Sequence, residues 1–181
     1  MIREISAIHR SDLVLVVSSF ERFVDNILDC RLNMVCRDYL ISQYGVQQEK
    51  ILVAPFWYEQ TEPQSHVQLQ ERSHFMMIGN FLHPPNVDAL EWSSKSLWRN
   101  LRKQIPHAEL HVYGAYPTKH AKNFHKPEHG LYVHGPVGSL DPLFAKFRVN
   151  FAPLRFGAGI KGKITDGWHR GVPCITTRIG A

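Results

Sequence analysis

The sequence predicts an α/β protein built on a doubly wound parallel sheet, and three observations lead to that prediction. Short apolar runs rich in β-branched residues recur along the chain, the segments between them are long enough for helices, and several runs end in glycine. Strands buried on both faces form continuous apolar runs, and parallel neighbours need a crossover of helix length. The alternation therefore predicts helices on both faces of a parallel sheet.

The composition excludes several classes of protein. The chain has 181 residues, of which 44% are hydrophobic and 20% charged, which is too apolar for a disordered chain and fits one domain plus part of another. No run approaches the length of a membrane span. The first twelve residues carry charges where a signal peptide needs an apolar run. Three cysteines, Cys30, Cys36 and Cys174, lack the paired spacing of a zinc site, so we expect reduced thiols in a cytoplasmic protein.

The N-terminal part predicts one βαβ unit followed by a polar segment. Leu13–Ser18 and Ile51–Ala54 are apolar runs typical of strands, and the segment Phe20–Tyr44 between them has a helical pattern. Residues 57–73 are mostly polar, contain Pro63 and keep neither apolar period. We interpret them as a linker between domains, with a surface excursion within one domain as the alternative.

The remaining chain alternates more strongly. Five strands are predicted, at Phe75–Gly79, Leu110–Tyr113, Leu131–His134, Val149–Leu154 and Cys174–Thr177. Four helices are predicted: one from the N-cap Asn86 to Ile105, and then Lys119–Lys126, Asp141–Lys146 with Asp141 as N-cap, and Gly162–Arg170. No helix follows the last strand, so we expect this sheet domain to be incomplete at its C-terminus.

The charge is unevenly distributed. Residues 1–60 hold 6 Lys and Arg and 8 Asp and Glu, whereas residues 61–181 hold 15 and 8. A basic domain suggests an anionic partner such as a phosphate-bearing molecule, nucleic acid or a membrane surface. An ordinary solvated basic face is the alternative.

The segment Arg155–Lys163 (RFGAGIKGK) is the most informative motif. It combines three glycines with three cations and leads directly into a predicted helix. Glycines let a ligand approach the backbone, and a helix N-terminus offers N–H groups and a favourable dipole to phosphate. The spacing matches neither G-x-x-x-x-G-K-[ST] nor G-x-G-x-x-G. The motif indicates a phosphate site, with a flexible surface turn as the alternative.

Four segments together resemble the donor-binding half of retaining GT-B glycosyltransferases of the large group 1 family. They are GNFLHPPNVDAL, AELHVYG, LDPLFAKFRVNFAPLRFGAGIKGKITD and GVPCITTRIGA. The resemblance implies a Rossmann-like donor-binding domain over residues 74–181. Residues 1–56 are similar to the end of that family's acceptor domain. It also implies transfer of a sugar, of hexosyl type and with retention, from a nucleoside-diphosphate sugar to an acceptor.

The resemblance assigns site residues position by position. Lys161 and Lys163 would act as catalytic residues that neutralise the donor diphosphate, and Asp166 would bind the ribose where Glu is usual. Gly79 would lie near the diphosphate and Gly135 beside the nucleobase. The other donor-binding positions are Asn80, Arg155, Gly157, Gly159 and Gly162.

We expect no metal and no cofactor beyond the nucleotide-sugar substrate. Paired aspartates would hold a metal at the diphosphate, but no Asp-x-Asp occurs in the chain. The pairs His107 with His111 and His125 with His129 have a spacing that can share a metal on a helix. However, Pro106 and a predicted strand flank the first pair and Pro127 interrupts the second, so solvated histidines are favoured. No nucleic-acid motif is present. The acceptor could be a glycan, a lipid or a small molecule, and peripheral membrane association stays open.

A second hypothesis is a non-catalytic, truncated nucleotide-binding module of the same fold. The chain has Ala158 where many members carry Glu, Asn80 where Arg is frequent, and Gly167 with Trp168 where small helix formers are usual. Nucleotide binding and donor hydrolysis would separate the two hypotheses.

Overall fold

A computed structural model describes Arg10, Asp38 and residues 14–18, 40–55, 67–157 and 160–180. The chain divides into two compact units, Met1–Gln60 and Thr61–Ala181. In the first unit, β1 (Val14–Ser18) pairs in parallel with β2 (Ile51–Pro55), and residues 40–44 are helical. The rest of the helix predicted between these strands lies mainly outside the described residues. So does most of the predicted linker, and the predicted domain boundaries therefore stay predictions.

The second unit contains a five-stranded sheet in which every pairing is parallel, in the order β5-β4-β3-β6-β7. This confirms the predicted α/β fold, and each strand end lies within two residues of its predicted position. The strands are β3 (Ser73–Ile78), β4 (Leu110–Tyr113), β5 (Leu131–Val133), β6 (Phe147–Ala152) and β7 (Cys174–Thr176).

Helices connect these strands. They are α1 (Pro84–Trp92), a π-helical turn (Ser93–Leu97), α2 (Trp98–Gln104), α3 (Lys119–Lys122), α4 (Asp141–Lys146) and α5 (Gly162–His169). Short 3₁₀ turns occupy Gln48–Lys50, Leu69–Glu71 and Pro127–His129.

The predicted helix start at Asn86 was wrong. Helix α1 begins at Pro84, with His83 in the preceding cap position. Prolines suit this place because the first helical N–H groups have no partner to lose. A π-helical turn follows α1. Ile105, predicted to lie on the apolar face of this helix, is 50% exposed, because α2 ends at Gln104 and the backbone of Ile105 is no longer helical.

Asp141 is also not the helix cap that the sequence predicted. Leu140 holds that position, and Asp141 is the first residue of α4. Its carboxylate instead accepts a hydrogen bond from Arg170, with Oδ1 2.7 Å from Nε. This contact lowers the pKa of Asp141, because the guanidinium favours the charged carboxylate.

The core lies on both faces of the sheet, as expected for a parallel sheet covered by helices. Alternate residues of β3 point to opposite faces, so Met77 packs with Leu90 and Trp98 of the helices, while Met76 packs with Phe144 of α4. Trp98 is 2% exposed, and its ring N–H donates to His129 O at 3.0 Å. Replacing such a buried Trp with Ala typically costs about 3–5 kcal/mol.

Candidate functional site

The strand order places a crevice at the carboxyl ends of β3 and β6. Strand β3 is central: the chain leaves it towards β4 and β5, and later returns to its other side as β6 and β7. In open α/β sheets, ligands bind outside the carboxyl ends of the strands, at the point where the strand order reverses in this way. The segment after β3 begins at Gly79, and the segment after β6 includes Arg155–Lys163. The fold therefore brings two of the predicted segments to one edge.

Backbone hydrogen bonds connect neighbouring strand ends at Gly79, Gly114 and Gly135. Gly79 N donates to Tyr113 O at 3.0 Å, and Gly114 N donates to Gly135 O at 3.1 Å. A Cβ on Gly114 would lie 1.7 Å from Gly79 O, and one on Gly79 would lie 2.7 Å from Asn86 Cγ. Gly135, in contrast, faces open space. Close packing therefore requires Gly79 and Gly114, whereas Gly135 leaves room beside the backbone.

Lys163 lies in a small cleft beside these strand ends. Apolar side chains including Phe81, Ala89 and Leu154 line the cleft together with Gly79 and Asn86. Burial, and to a smaller extent the nearby Lys161, lower the pKa of Lys163 to about 8. The pKa still lies above neutrality, so the amine is mostly protonated at pH 7. The cleft thus holds a partly desolvated cation, which attracts an anion more strongly than a solvated one does.

Two asparagines connect Lys163 to the segment after β3. The Lys163 ammonium donates to Asn86 Oδ1, and Asn86 Nδ2 donates to Asn80 O at 2.9 Å. The side chain of Asn80 has a local role: its Oδ1 accepts from Leu82 N at 2.8 Å. The predicted residues Gly79, Asn80 and Lys163 are therefore brought together, and Asn86 joins them.

Arg155 and Gly157 contact helix α1. Arg155 donates to both carboxylate oxygens of Asp88, and its Cζ lies 5.3 Å from the centroid of the Trp92 ring. Gly157 has φ 128°, a conformation that favours glycine, and a Cβ there would lie 3.6 Å from Pro85. Gly159 lies outside the described residues.

The start of α5 carries Lys161 and Gly162. Lys161 precedes the helix, and its carbonyl accepts from Ile164 N at 2.7 Å. Gly162 is the first helical residue, and a Cβ there would meet no atom within 4 Å. The first two N–H groups of the helix, those of Gly162 and Lys163, have no acceptor within it. The start of α5 therefore combines open space with donors suited to phosphate.

Asp166 is one turn further along α5, and its carboxylate contacts Arg170. The distance from Oδ1 to Arg170 Nη1 is 3.8 Å, and Arg170 also binds Asp141 of α4. Arg170 Cζ lies 5.0 Å from the centroid of the Phe144 ring. Asp166 is thus engaged on the side of α5 that contacts α4.

The histidines are used in a side-chain network. His111 contacts Glu109 with Nε2 2.9 Å from Oε2, and its Nδ1 lies 3.0 Å from His134 Nε2. In the second pair, His125 Nδ1 accepts from Val133 N at 3.1 Å. The expectation of solvated histidines was wrong for His111, which is buried. Across the described part of the chain, no three His, Cys, Asp or Glu side chains form a group that could hold a metal.

Asn86, Asp88 and Gly114 are site residues that sequence reasoning missed. The sequence pattern predicts Asn86 as a helix N-cap and predicts no role for Asp88. The run PPN contained a signal, because two prolines already define a helix start and leave the following Asn free for another role. The partners of Asp88 and Asn86 lie 67 and 77 residues away, which no local pattern encodes.

Comparisons with known proteins agree with the fold described above. The sequence family described as Glycosyl transferases group 1 matches residues 72–181. No curated protein is significantly similar in sequence. Within the described residues, no helix is long and apolar enough to cross a membrane.

Several solved structures share the fold at low sequence identity. The pneumococcal O-GlcNAc transferase GtfA, crystallised with UDP and GlcNAc, is 14% identical with a TM-score of 0.67, over 99% of this chain and 32% of its own length. TarM of S. aureus, in a complex containing UDP, is 12% identical with a TM-score of 0.69, over 98% of this chain and 32% of its own length. Anabaena HepE, in complex with UDP and glucose, is 13% identical with a TM-score of 0.60, over 97% of this chain and 47% of its own length. The chain thus spans about a third to a half of these structures.

Proposed function

Because the chain belongs to the group 1 glycosyl transferases, we propose that it carries the donor-binding half of an enzyme that transfers a sugar from a nucleoside-diphosphate sugar. The observation that carries this proposal is the position of Lys163, a protonated and partly desolvated amine at the reversal point of the sheet. The three fold relatives described above bind UDP in their crystals. A nucleoside diphosphate is therefore the ligand class that we assign to this edge.

The proposed chemistry is stabilisation of a leaving group. When the bond between the anomeric carbon and the diphosphate oxygen breaks, negative charge grows on the diphosphate. Lys161, Lys163 and the first N–H groups of α5 would neutralise that charge, and fixed donors do so without reorganising at the moment of reaction. We assign no metal to this step. Loss of donor binding in EDTA with recovery in manganese would contradict that assignment.

The other parts of the donor are assigned to residues near the same carboxyl edge of the sheet. The open space at Gly135 suits a nucleobase, and the gap at Gly162 suits the diphosphate. Asp166 would bind the ribose after its carboxylate leaves Arg170. We further propose transfer with retention, of hexosyl type, to an acceptor that the rest of the enzyme selects.

Thermal unfolding with UDP and GDP tests the proposal. A ligand that binds only the native state at a hundred times its dissociation constant stabilises it by about 2.7 kcal/mol, or roughly 5–10 °C for a chain of this size. Lys161→Ala combined with Lys163→Ala should weaken binding of UDP more than binding of uridine. No stabilisation by either diphosphate at millimolar concentration would refute a functional donor site.

A non-catalytic nucleotide-binding module is the second candidate, and Ala158 favours it, because many members of the family carry Glu at that position. Hydrolysis of UDP-glucose separates the two: a module would bind UDP without releasing glucose, whereas a competent donor site assembled with its acceptor half would release it slowly.

A further inference from the structure

Asn86 uses its side-chain amide as a bridge between two parts of the site. Its Nδ2 donates to Asn80 O at 2.9 Å, and its Oδ1 accepts from the Lys163 ammonium. The residue is 7% exposed, so both contacts are shielded from water. One short side chain therefore connects the segment after β3 to the lysine of α5.

The surroundings admit Asn and few other residues. A Cβ on Gly79 would lie 2.7 Å from Asn86 Cγ, so the amide is packed directly against the strand end. The contact to Asn80 O requires a donor, and the contact to the ammonium requires an acceptor. Asp lacks the donor, and Leu, although similar in shape, lacks both.

No carboxylate is among the groups that shift the pKa of Lys163. These groups, within the described residues, are Lys161, which repels the ammonium, and Cys174 on β7. Burial raises the pKa of the Cys174 thiol to about 11, so it is neutral at pH 7 and provides no counterion. Asn150 holds only the backbone, because its Nδ2 donates to Lys163 O at 2.7 Å. Within the described residues, the hydrogen bond reported for the Lys163 ammonium is therefore the one to Asn86 Oδ1.

We propose that Asn86 is a positioning residue, which holds the Lys163 ammonium at the mouth of the crevice and favours its charged form. The inference rests on the proposed function, in which this ammonium meets the donor diphosphate. A neutral acceptor suits that task. It orients the cation and leaves its charge available for the ligand, whereas a carboxylate would neutralise the charge beforehand.

The pH dependence of Lys163 acylation tests the proposal without any nucleotide. The full chain is labelled with trace acetic anhydride from pH 6 to 11, and the Lys163 peptide is quantified by mass spectrometry, with Lys103 of α2 as internal reference. In Asn86→Asp the adjacent carboxylate should raise the midpoint by about 1–3 pH units, which reduces acylation at pH 7.5 at least about tenfold. In Asn86→Leu the midpoint should fall. The exposed residue Asn100 supplies the matched control, Asn100→Asp, which should leave it unchanged.

A reciprocal measurement leaves Asn86 intact in case its variants fold poorly. In a ¹⁵N-labelled chain, Lys163→Met should shift the side-chain amide resonance of Asn86, and Lys103→Met should not. An unchanged resonance, or equal Lys163 midpoints in folded Asn86→Asp and wild type, would overturn the proposal. Failure of UDP to bind while the midpoint still moves would refute the proposed function and leave the positioning role standing.

Discussion

Arg155 and Asp88 form a two-pronged contact across 67 residues of sequence, with Arg155 Nε 2.9 Å from Asp88 Oδ2. The guanidinium hydrogen bonds lower the pKa of the Asp88 carboxyl. The same guanidinium lies over the Trp92 ring. Because Arg155 begins the glycine-rich segment and Asp88 belongs to α1, the pair anchors that segment to the helix that also carries Asn86.

Arg155→Lys should loosen the segment. Lysine cannot reproduce a planar contact with both carboxylate oxygens or stack as a guanidinium does. We expect proteolysis between Phe156 and Lys163 to become several-fold faster, as measured by limited digestion and mass spectrometry. Lys95→Gln, which removes the exposed Lys95–Glu91 pair of the neighbouring turn, is the control and should not change the rate. Equal rates in Arg155→Lys and wild type would show that the pair does not anchor the segment.

Substitutions at the strand-end glycines should differ sharply in effect. Gly79→Ala places a methyl group 2.7 Å from Asn86 Cγ, and Asn86 is buried and fixed by two hydrogen bonds. We expect the free energy of unfolding to fall by about 1–3 kcal/mol, the usual range for overpacking. Gly114→Ala should cost more, because its methyl group would lie 1.7 Å from a backbone oxygen. Denaturant unfolding measures both.

Gly135→Ala is the internal comparison. A methyl group there meets nothing within 4 Å, so stability should change by no more than about 0.5 kcal/mol. If Gly135→Ala destabilised the protein as much as Gly79→Ala, the packing argument would be wrong.

The sequence predicts the strands of this fold but not the side-chain contacts at the site. The strands follow from apolar periodicity, and β4 lies at Leu110–Tyr113 as predicted, because a strand buried on both faces depends on its own composition. The roles of Asn86 and Asp88 could not be predicted, since each depends on a partner that only the closed sheet brings near. The π-helical turn could not be predicted for a different, local reason. Ser93 Oγ donates to Ala89 O at 2.6 Å, and a side-chain bond of this kind competes with regular helix geometry but has no distinctive sequence pattern.

Gly162→Ala should separate ligand binding from folding. The site is open and lies in the first turn of α5, so alanine should leave stability unchanged or raise it by up to about 1 kcal/mol. If a diphosphate approaches this backbone, the methyl group should weaken UDP binding about tenfold or more, as measured by calorimetry. Gly138→Ala, which also meets no atom within 4 Å, is the control. Unchanged UDP affinity in Gly162→Ala would place the diphosphate elsewhere.

The amine of Lys163 should make stability depend on alkaline pH. Its pKa is lowered from the ordinary 10.5 to about 8 in the folded chain, so between these values the unfolded chain binds the extra proton. Stability therefore rises with pH across this window. Relative to Lys163→Met, the wild type should gain roughly 1–2 kcal/mol from pH 8 to 10.5, less than the full shift implies because water still reaches the side chain. Parallel stability curves would contradict a depressed pKa.

The imidazoles of His111 and His134 should make stability depend on acidic pH as well, with a loss of stability as the pH falls. The rings of His111 and His134 are nearly parallel, with 4° between their planes and 5.2 Å between their centroids. Burial lowers the pKa of both, although Glu109 opposes the shift at His111. Below the ordinary histidine pKa of 6.5, these two histidines bind protons in the unfolded chain but remain largely unprotonated in the native state. Stability should therefore fall as the pH falls.

His111→Asn should flatten that decline. We expect unfolding between pH 7 and 5 to show a slope smaller by up to about 1.4 kcal/mol per pH unit, the value for one proton. The surrounding charged groups, His74, Glu109 and Lys146, remain in place in the variant. His107→Asn alters an exposed histidine and is the matched control. If His111→Asn left the slope equal to that of the wild type, the pKa of His111 would be the same in the folded and unfolded chain, and the lowered pKa would be contradicted.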